Sequence, residues 1–406
     1  MRILLLTQVL PFPPDSGPKI KTWNLLKHLS QNHRVTLVSF VRGDQSRDVS
    51  RLEAVCERVI PIPLARPVWR EGVAMARSFA SGEPWLVLRD ERRAMRQVIA
   101  ALAQEERFDI VHADQLGMAQ YAALVPGSCR VLDAHNALWQ LYQRLWQTLP
   151  PGPYKWLWGR EWPLLKRYEG AICRQFDGVL AVSRVDQRAL EEASGESGKV
   201  RVVPISVDLE EFPPIRRAAG ASHILSMGTM FWQPNVEGVL WFAREILPFI
   251  RRERPDVVFD VLGARPPEAV TRLAQQDERI RVTGYVPDPA LYLEQAGAVI
   301  VPLLAGSGMR VKILQALAQE LPVVTTSTGC EGIDVENGRH VFIADTPAEF
   351  SQAVLRLLAD PQLGRELGRQ GRALIQSRYE VHTALAAVDQ AYVAWQGETI
   401  NMAVAA

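Results

Sequence analysis

The stretch VPLLAGSGMRVKILQALAQELPVV, residues 301–324, decides the fold. It starts in an apolar strand that ends near Pro302, passes through the small residues Gly306–Gly308, and is predicted to enter a helix near Met309. The buried face of that helix is predicted from apolar residues at helical spacing: Ile313, Leu314 and Leu317. A helix N-terminus behind a glycine turn presents unpaired N–H groups and the positive end of the helix dipole, so it attracts anions.

Two cations, Arg310 and Lys312, fall in the first turn of this predicted helix. Positive charge at that end opposes the helix dipole by about 0.3–1 kcal/mol per residue. A bound diphosphate would reverse the penalty, because both side chains would then face phosphate oxygens. The alternative is that both side chains simply reach solvent. The pattern therefore favours a phosphate site over an ordinary helix end.

Short apolar runs alternate with helix-period segments along the whole chain, which is typical of βαβ units in a parallel sheet. The length of 406 residues fits two domains, since single cores stop growing near roughly 250–300 residues. The pattern restarts after residue 213, and Glu210–Ala221 is predicted to be a linker. We expect one domain over 1–212, a second over 213–377, and a last helix over 378–397 that packs back on the first domain.

Composition excludes several classes of protein. The formal net charge of +1 implies no bulk attraction to nucleic acid. The four cysteines lie far apart without zinc-ligand spacing and are expected to be reduced thiols. Thr7 and Gln8 interrupt the N-terminal apolar run, and no stretch reaches the roughly 18 apolar residues of a membrane span. We expect a cytoplasmic protein.

Residues 306–318, GSGMRVKILQALA, resemble the retaining GT-B glycosyltransferases of family four, and most closely the branch with the motif Gly-Ser-Gly-x-Arg-x-Lys. Further segments resemble this family in the same order: the glycine loop Pro13–Gly17, the histidine segment Asp133–Asn136, the hinge Val202–Asp208, and the loop Gly228–Asn235. Each piece alone is weak evidence of relationship, but their order and spacing together are specific.

The resemblance implies an α/β GT-B fold, in which two doubly wound Rossmann-like domains face a cleft. The first domain would bind the acceptor and the second the nucleotide-sugar donor. The family's reaction retains the anomeric configuration, needs no metal ion or other cofactor, and lets the departing phosphate take the acceptor proton. The implied acceptor is a glycan or lipid-linked molecule in polysaccharide or glycolipid synthesis.

The resemblance and the loop chemistry together assign candidate residues. The proposed catalytic residues are His135, Arg310, Lys312 and Glu331. The proposed donor-binding residues are Gly17, Gly228, Trp232, Gly263, Tyr285, Val286, Gly306, Ser307, Gly308 and Gln315. No metal ligands are proposed. For His135 the alternative is an ordinary hydrogen-bonded histidine at a strand end, and for His112 that alternative is the stronger one.

Departures from the family pattern qualify these assignments. Ser307 and Gln315 stand where the commoner motif has two glutamates, one for the donor sugar and one for the ribose hydroxyls. Glutamine keeps one acceptor oxygen, so we expect donor binding weaker by about 1–2 kcal/mol. Our own hypothesis is that Glu331 supplies the missing carboxylate near the donor sugar. Glu320 occupies a position where the family commonly has glycine.

Two further questions stay open at this stage. The tryptophans and cations between Trp139 and Arg167 favour peripheral contact with a membrane surface, unless this aromatic face packs on its own domain. The competing functions are a sugar-nucleotide-binding protein without turnover and another GT-B chemistry such as epimerisation. A dinucleotide dehydrogenase is disfavoured, because no Gly-x-Gly-x-x-Gly follows the first strand.

Overall fold

The computed structural model describes residues 1–306 and 308–405, with side chains up to residue 397. The chain forms two compact units: Met1–Ile205 together with Ala384–Ala406, and Ser206–Thr383. Each unit is a parallel β-sheet with helices, so the predicted fold class of two Rossmann-like domains is confirmed.

The first unit contains a seven-stranded parallel sheet in the order β3-β2-β1-β4-β5-β6-β7. Its strands are β1 (Arg2–Thr7), β2 (Arg34–Val41), β3 (Arg58–Pro63), β4 (Ile110–Asp114), β5 (Cys129–Ala134), β6 (Gly178–Ala181) and β7 (Val200–Val202). The central strands are near-continuous apolar runs because helices cover both faces of the sheet, and residues 3–6 of β1 are completely buried.

Nine helices of the described chain precede the second unit: α1 (Gly17–Asn32), α2 (Ser46–Glu53), α3 (Val68–Ser81), α4 (Trp85–Leu88), α5 (Arg93–Glu105), α6 (Leu116–Ala122), α7 (Leu138–Thr148), α8 (Pro153–Gln175) and α9 (Arg184–Ser194). Their ends follow ordinary capping chemistry. Helix α9, for example, begins after Ser183, whose hydroxyl accepts from the Asp186 N–H, and ends at Gly195 with φ of 72°. The strand–helix pattern of the sequence did not predict α2, α3 or α4.

The second unit contains a six-stranded parallel sheet in the order β10-β9-β8-β11-β12-β13. Its strands are β8 (His223–Met227), β9 (Phe259–Leu262), β10 (Ile280–Gly284), β11 (Ala296–Val301), β12 (Val323–Thr325) and β13 (Phe342–Ile343). Its helices are α10 (Gln233–Trp241), α11 (Leu247–Glu253), α12 (Glu268–Gln276), α13 (Ala290–Gln295), α14 (Val311–Ala318), α15 (Pro347–Ala359) and α16 (Pro361–Leu374). Two π-helical segments, Phe242–Ile246 and Ile375–Tyr379, follow α10 and α16.

The segment that joins the two sheets packs on the second unit. The Val207 N–H donates to Tyr379 O at 2.8 Å, the Ile215 N–H to Gln319 O at 3.0 Å, and the Ala218 N–H to Glu294 O at 2.8 Å. These bonds explain why the second unit begins at Ser206 and not at the expected residue 213.

The C-terminal helix α17 (Val381–Ala405) belongs to the first unit from Ala384 onward. The Tyr392 hydroxyl lies 2.6 Å from His112 Nδ1, and the Trp395 ring occupies the space that a side chain at Gly178 would need. The expected helix over 378–397 differs at its start, because residues up to Tyr379 complete the π-helical segment of the second unit.

No helix of the described residues is long and apolar enough to span a bilayer. The four cysteines are buried, and no disulfide joins them.

Candidate functional site

The loop after β11 has the backbone of a glycine turn. Gly306 has φ of 134° and Gly308 has φ of 77°, both in the region that disfavours residues with a side chain. Helix α14 begins at Val311, two residues later than expected, so Arg310 is its N-cap and not a residue of its first turn. The Arg310 Nη1 donates to Gly308 O at 2.7 Å, which holds the guanidinium over the turn.

The side chain of Lys312, in the first turn of α14, reaches the loop after β8. Its Nζ donates to Asn235 Oδ1 at 2.8 Å, and the Asn235 Nδ2 donates to Thr229 O at 2.9 Å. A Cβ on Gly228 would lie 2.9 Å from both Lys312 Nζ and Asn235 Nδ2. The missing side chain at Gly228 therefore provides the space for the ammonium, and the predicted residues Gly228 and Lys312 lie together.

The electrostatics of Lys312 are unusual for a surface-helix lysine. Burial, and secondly the charge of Arg310, lower the pKa of Lys312 from 10.5 to about 7. Within the described part of the chain, Lys312 forms an ion pair with no carboxylate, and its hydrogen-bond partner is a neutral amide. A desolvated ammonium without a counter-charge destabilises the protein, and a bound anion would remove that cost.

Three neighbouring strand ends pack closely beside Lys312. Gly263 follows β9, and a Cβ there would overlap the carbonyl oxygen of Gly228. The Gly263 N–H donates to Gly284 O at 2.9 Å, which joins the ends of β9 and β10. Tyr285 and Val286 continue from β10, and the Tyr285 side chain is 74% exposed. Gly263 is thus a site of close backbone approach, as its position in the sequence predicts.

Glu331 lies in a turn that is bonded to the end of β11. The Thr326 Oγ1 donates to Leu303 O at 2.5 Å and accepts from the Gly329 N–H at 2.9 Å. The turn that carries Glu331 is therefore held against the strand that leads into the glycine loop. Trp232 is the N-cap of α10, three residues before Asn235, and its side chain is 49% exposed.

In the first unit, His135 follows β5 and contacts the end of β4. Its Nε2 lies 2.9 Å from Asp114 Oδ1, and the Thr22 Oγ1 donates to the same oxygen at 2.9 Å. Gln115 Nε2 lies 3.4 Å from His135 Nδ1. A carboxylate only accepts, so Nε2 carries the proton and Nδ1 is the acceptor. Both ring nitrogens of His135 are engaged, which suits an orienting role better than proton abstraction.

A pocket of about 160 Å³ opens beside His135 within the first unit. Its lining includes Gln8, Pro18, Arg89, Gln115, His135, Asn136 and Tyr142. Gly17 is the first residue of α1 and immediately precedes Pro18, so the predicted loop and the predicted histidine lie at one pocket. Gln115 has φ of 75°, a strained conformation for a residue with a side chain, and such strain clusters at functional sites.

A second histidine, His112, has a structural environment. It is completely buried, its Nδ1 accepts from the Tyr392 hydroxyl, and its Nε2 lies 3.4 Å from Asp133 Oδ2. Asp133 also forms an ion pair with the buried Lys21. Although burial acts to raise it, the pKa of Asp133 is held well below its usual range by the charge of Lys21 and the His112 hydrogen bond. These contacts match the alternative of an ordinary hydrogen-bonded His112.

One group of side chains among the described residues has the spacing of metal ligands: His112, Asp114 and Asp133, all buried. The ammonium of Lys21 already contacts the Asp133 carboxylate and supplies positive charge at this position. The geometry therefore has a structural explanation that needs no ion.

Comparisons with known proteins divide the chain in the same way as the structure. The family model described as "Glycosyltransferase Family 4" matches residues 21–211, and the model described as "Glycosyl transferases group 1" matches residues 221–360. The two matches fall on the two sheets. This chain is a glycosyltransferase with the GT-B fold.

Solved structures resemble this glycosyltransferase over nearly its whole length. The sucrose-phosphate synthase of Thermosynechococcus elongatus superposes with a TM-score of 0.70 at 17% identity, covering 97% of this chain and 98% of its own. HepE of Anabaena, solved with UDP and glucose, superposes with a TM-score of 0.68 at 15% identity, covering 97% of this chain and 100% of its own. A curated relative, an uncharacterised 44.6 kDa protein in a cps region of Klebsiella pneumoniae, is 21% identical over 93% of this chain and 96% of its own.

Sequence reasoning missed several residues of the glycosyltransferase that the structure brings to these sites. Asn235 binds Lys312 from 77 residues away, and Asp114, Thr22 and Gln115 surround His135. Asn235 could have been found from its place at the first turn after the Gly228 loop. Asp114 could have been found as a polar residue at the end of a buried strand.

Two predicted donor residues of the glycosyltransferase need separate mention. Ser307 lies outside the described residues. Gln315 is half-buried in α14, one turn beyond Val311 and on the helix that carries Lys312.

The tryptophan cluster of the glycosyltransferase is largely packed on its own domain. Trp139 is 3% exposed, and its indole N–H donates to Ala189 O at 3.1 Å. Trp158 and Trp162 pack against the core. Trp156 differs because its ring is 64% exposed and stacks on Phe79 of α3 with centroids 5.9 Å apart.

Proposed function

We propose that this glycosyltransferase moves a sugar, with retention of configuration, from a nucleoside-diphosphate donor to a glycan or lipid-linked acceptor in polysaccharide or glycolipid synthesis. The observation that carries the proposal is the ammonium of Lys312, which is desolvated and has a neutral amide, Asn235, as its partner. Together with Arg310 and the turn N–H groups of the glycine loop, it forms a set of donors suited to a diphosphate.

The same groups would stabilise the transition state. Breaking the bond between the sugar carbon and the diphosphate oxygen puts negative charge on the leaving diphosphate. Preorganised cations at that position lower the barrier, and this is usually the largest catalytic term. Lys312 and Arg310 take that role, and the leaving phosphate accepts the acceptor proton. Within the first unit, the proposed role of His135 is to orient a bound sugar, with its ring position set by Asp114. UDP bound to the structurally similar HepE supports a nucleotide donor of this class.

Asn235→Asp tests the donor site with the smallest change in shape. A carboxylate at this position would form an ion pair with Lys312, so the unliganded protein should melt at a higher temperature. The same carboxylate would repel a diphosphate, and we expect nucleotide-sugar affinity to fall by about 1.5–3 kcal/mol, the value of a charged hydrogen bond. Thermal shift and calorimetry with a panel of nucleoside-diphosphate sugars, starting with UDP-glucose, measure both effects.

Asn32→Asp is the matched control for that experiment. It makes the same chemical change at an exposed helix end of the first unit. A higher melting temperature together with weaker donor binding in Asn235→Asp, and neither change in Asn32→Asp, would support the proposed site. Unchanged donor affinity in Asn235→Asp would refute it.

The carboxylate hypothesis for Glu331 concerns the donor sugar. Because its turn is bonded to the end of β11, Glu331 lies on the segment next to the glycine loop. Glu331→Gln should lower kcat with the natural sugar and leave the affinity for the free nucleotide diphosphate unchanged. Equal kcat in variant and parent would remove Glu331 from the mechanism.

Retention and independence from metal ions are proposed together. The anomeric proton of the product, followed by NMR from the first turnovers, should show the same configuration as the donor. Transfer should continue at full rate in EDTA, because Arg310 and Lys312 are proposed to supply the positive charge that stabilises the leaving diphosphate. Product of inverted configuration, or activity lost in EDTA and restored by a divalent ion, would contradict the respective proposal.

Peripheral membrane contact is proposed for one face of the first unit. Helix α3 exposes Val68, Trp69, Val73 and Phe79, with fractional exposures of 88%, 64%, 52% and 49%. The Arg160 guanidinium lies over the Phe79 ring at 4.1 Å, beside the exposed Trp156. Apolar rings mixed with cations suit an anionic bilayer surface.

Vesicle flotation tests the membrane proposal. The protein should float with vesicles that contain an anionic phospholipid, and Trp69→Ser combined with Trp156→Ser should remain in the soluble fraction. Replacing the exposed Tyr285 of the other unit with serine is the control. Equal flotation of the double variant and the parent would refute binding through this face.

A further inference from the structure

Arginines gather at the carboxyl edge of the sheet in the first unit. Arg42 follows β2, Arg66 follows β3, and Arg89 follows α4. All three surround Asp90, which is completely buried. Ligands of open α/β sheets bind at this edge, so an excess of charge here bears on what the unit binds.

The carboxylates near these arginines do not balance their charge. Asp90 forms an ion pair with Arg66 and accepts from Gln8 Nε2 at 2.5 Å. Glu91 is engaged by other arginines on its far side, at 2.7 and 3.0 Å. Glu161 accepts from the Leu86 N–H at 2.9 Å and lies 3.7 Å from Arg160. Among the described residues, two carboxylates, Asp90 and Glu161, thus act on the four arginines of this group, which are Arg42, Arg66, Arg89 and Arg92.

The electrostatics agree with this count. Partial burial lowers the pKa of Arg42, although much of its side chain is exposed, and the charges of Arg66 and Arg89 lower it further against the opposing effect of Asp90. Burial and the charge of Arg70 likewise lower the pKa of Arg92. The Nε atoms of Arg66, Arg89 and Arg92 are buried without a hydrogen-bond partner among the described residues. Guanidiniums that repel one another and keep unused donors destabilise the free protein unless an anion binds between them.

The arginine group reaches the pocket that contains His135. Arg89 and Gln8 line that pocket, and the Gln8 amide connects it to Asp90. The Arg89 guanidinium is held by the Trp85 ring at 5.2 Å, which fixes its position at the wall. A phosphate offers more charge and more acceptor oxygens than a carboxylate, so it suits several forked donors at once.

We propose that this pocket binds a phosphate group of the acceptor, with Arg89 as its direct ligand and Arg42 and Arg66 as supporting charges. The assignment to the acceptor rests on the proposed function, because it is the sugar-accepting molecule that would enter beside His135. The phosphate pocket itself is a property of the first unit and can be measured without any sugar transfer.

Calorimetry on the full chain tests the pocket with three probes: inorganic phosphate, farnesyl phosphate in detergent, and farnesol as the uncharged analogue. We expect both phosphates to bind and farnesol to bind at least tenfold more weakly than farnesyl phosphate. Arg89→Gln should weaken both phosphates roughly ten- to a hundredfold, which is the loss of one charged contact. Arg42→Gln, a change at an exposed residue, should weaken them roughly threefold or more through lost long-range attraction.

Two controls separate the pocket from the donor site. Arg58→Gln removes an arginine at the opposite edge of the same sheet, where it pairs with Glu105 at 3.1 Å, and should leave phosphate binding unchanged. Lys312→Met alters the proposed donor site of the second unit, so it should affect only phosphate bound there and should leave the binding that Arg89→Gln weakens unchanged. Tighter binding of farnesyl phosphate than of inorganic phosphate identifies a lipid-linked acceptor, and equal binding identifies a soluble one.

Three results would overturn the proposal. The first is equal affinity for farnesol and farnesyl phosphate, and the second is phosphate affinity in Arg89→Gln and Arg42→Gln equal to that in Arg58→Gln. The third is phosphate binding that is lost in Lys312→Met and kept in Arg89→Gln. Melting curves show whether Arg89→Gln is folded. If it is not folded, the phosphate affinity of Arg42→Gln tests the proposal instead. Sugar transfer with a panel of donors tests the proposed function, and its failure with every donor would contradict that function. The phosphate binding constants test the pocket separately.

Discussion

The affinity for the nucleotide-sugar donor should fall as the pH rises above 7, because Lys312 must be protonated to bind a diphosphate. In the free protein the pKa of Lys312 is about 7, so the ammonium is half deprotonated at neutral pH. A bound diphosphate stabilises the charged form and raises the pKa again. Binding therefore takes up a proton throughout the interval between the two pKa values, and each unit of pH costs affinity there.

The size of the effect follows from the protonated fraction of Lys312. With a pKa of about 7, that fraction is roughly ten-elevenths at pH 6, one half at pH 7 and one-eleventh at pH 8. Donor affinity should drop about tenfold from pH 6 to pH 8, which is ~1.4 kcal/mol. The diphosphate of a nucleotide sugar does not titrate in this range, so the change belongs to the protein.

The free protein should show the opposite trend. Because its folded-state pKa lies below its unfolded value of 10.5, Lys312 binds fewer protons in the folded chain between pH 7 and pH 10.5. Its contribution to the free energy of unfolding therefore rises with pH, by about 1 kcal/mol from pH 7 to pH 8. Ligand affinity and unliganded stability should change in opposite directions over one pH interval.

Titration calorimetry in two buffers with different heats of ionisation measures the proton uptake directly. We expect about half a proton at pH 7 and about nine-tenths at pH 8. Lys312→Arg is the matched control, because a guanidinium stays protonated and should give a flat profile. Constant wild-type affinity from pH 6 to pH 8 without proton uptake, or an equal slope in Lys312→Arg, would show that Lys312 does not bind the diphosphate.

Three further substitutions probe other parts of the structure. Gly263→Ala should lower the free energy of unfolding, measured by denaturant titration, by about 1–3 kcal/mol, because the new Cβ would overlap the carbonyl oxygen of Gly228. Gly72→Ala is the control, because open space surrounds Gly72 and the change should be neutral or stabilising. Tyr392→Phe should cost about 1–3 kcal/mol by the same measurement, because His112 Nδ1 would be buried without its donor, and an unchanged midpoint would mean that the hydrogen bond contributes nothing. Gln315→Glu should tighten nucleotide-diphosphate binding by about 1–2 kcal/mol in calorimetry, and weaker or equal binding would show that this position does not face the ribose.

The strands of both sheets could be predicted from the sequence because parallel strands buried on both faces are short apolar runs. Residues 3–6 of β1 show this clearly. Helix α3 could not be predicted from burial in this way, because its large apolar residues, such as Val68 and Trp69, face solvent and not the core. The boundary at Ser206 also could not be predicted, because it depends on hydrogen bonds between the segment that joins the two sheets and residues such as Tyr379.

The residues of the candidate site divide in the same manner. Gly306, Gly308 and Lys312 are local features of one loop and helix, and a single motif indicates them. The Asn235 amide that meets Lys312 lies 77 residues away, and the pairing depends on two strand ends being adjacent in the sheet. Glu320 has a φ of 58°, a conformation that favours glycine, which is the residue that the family resemblance leads us to expect there. The departure at Glu320 is therefore a strained helix end.

A comparison of Lys312 with the buried Lys21 explains why Lys312 indicates a ligand. Lys21 is 4% exposed and meets the carboxylate of Asp133, which His112 also approaches, so its charge is matched within the fold. Lys312 is also desolvated, but its partner is an amide, and its pKa falls to about 7. Asn235→Asp would give Lys312 the kind of partner that Lys21 has, with almost no change in shape. The fold thus neutralises Lys21 and leaves Lys312 with a neutral partner beside a glycine turn and a helix N-terminus, which is a site that an anion completes.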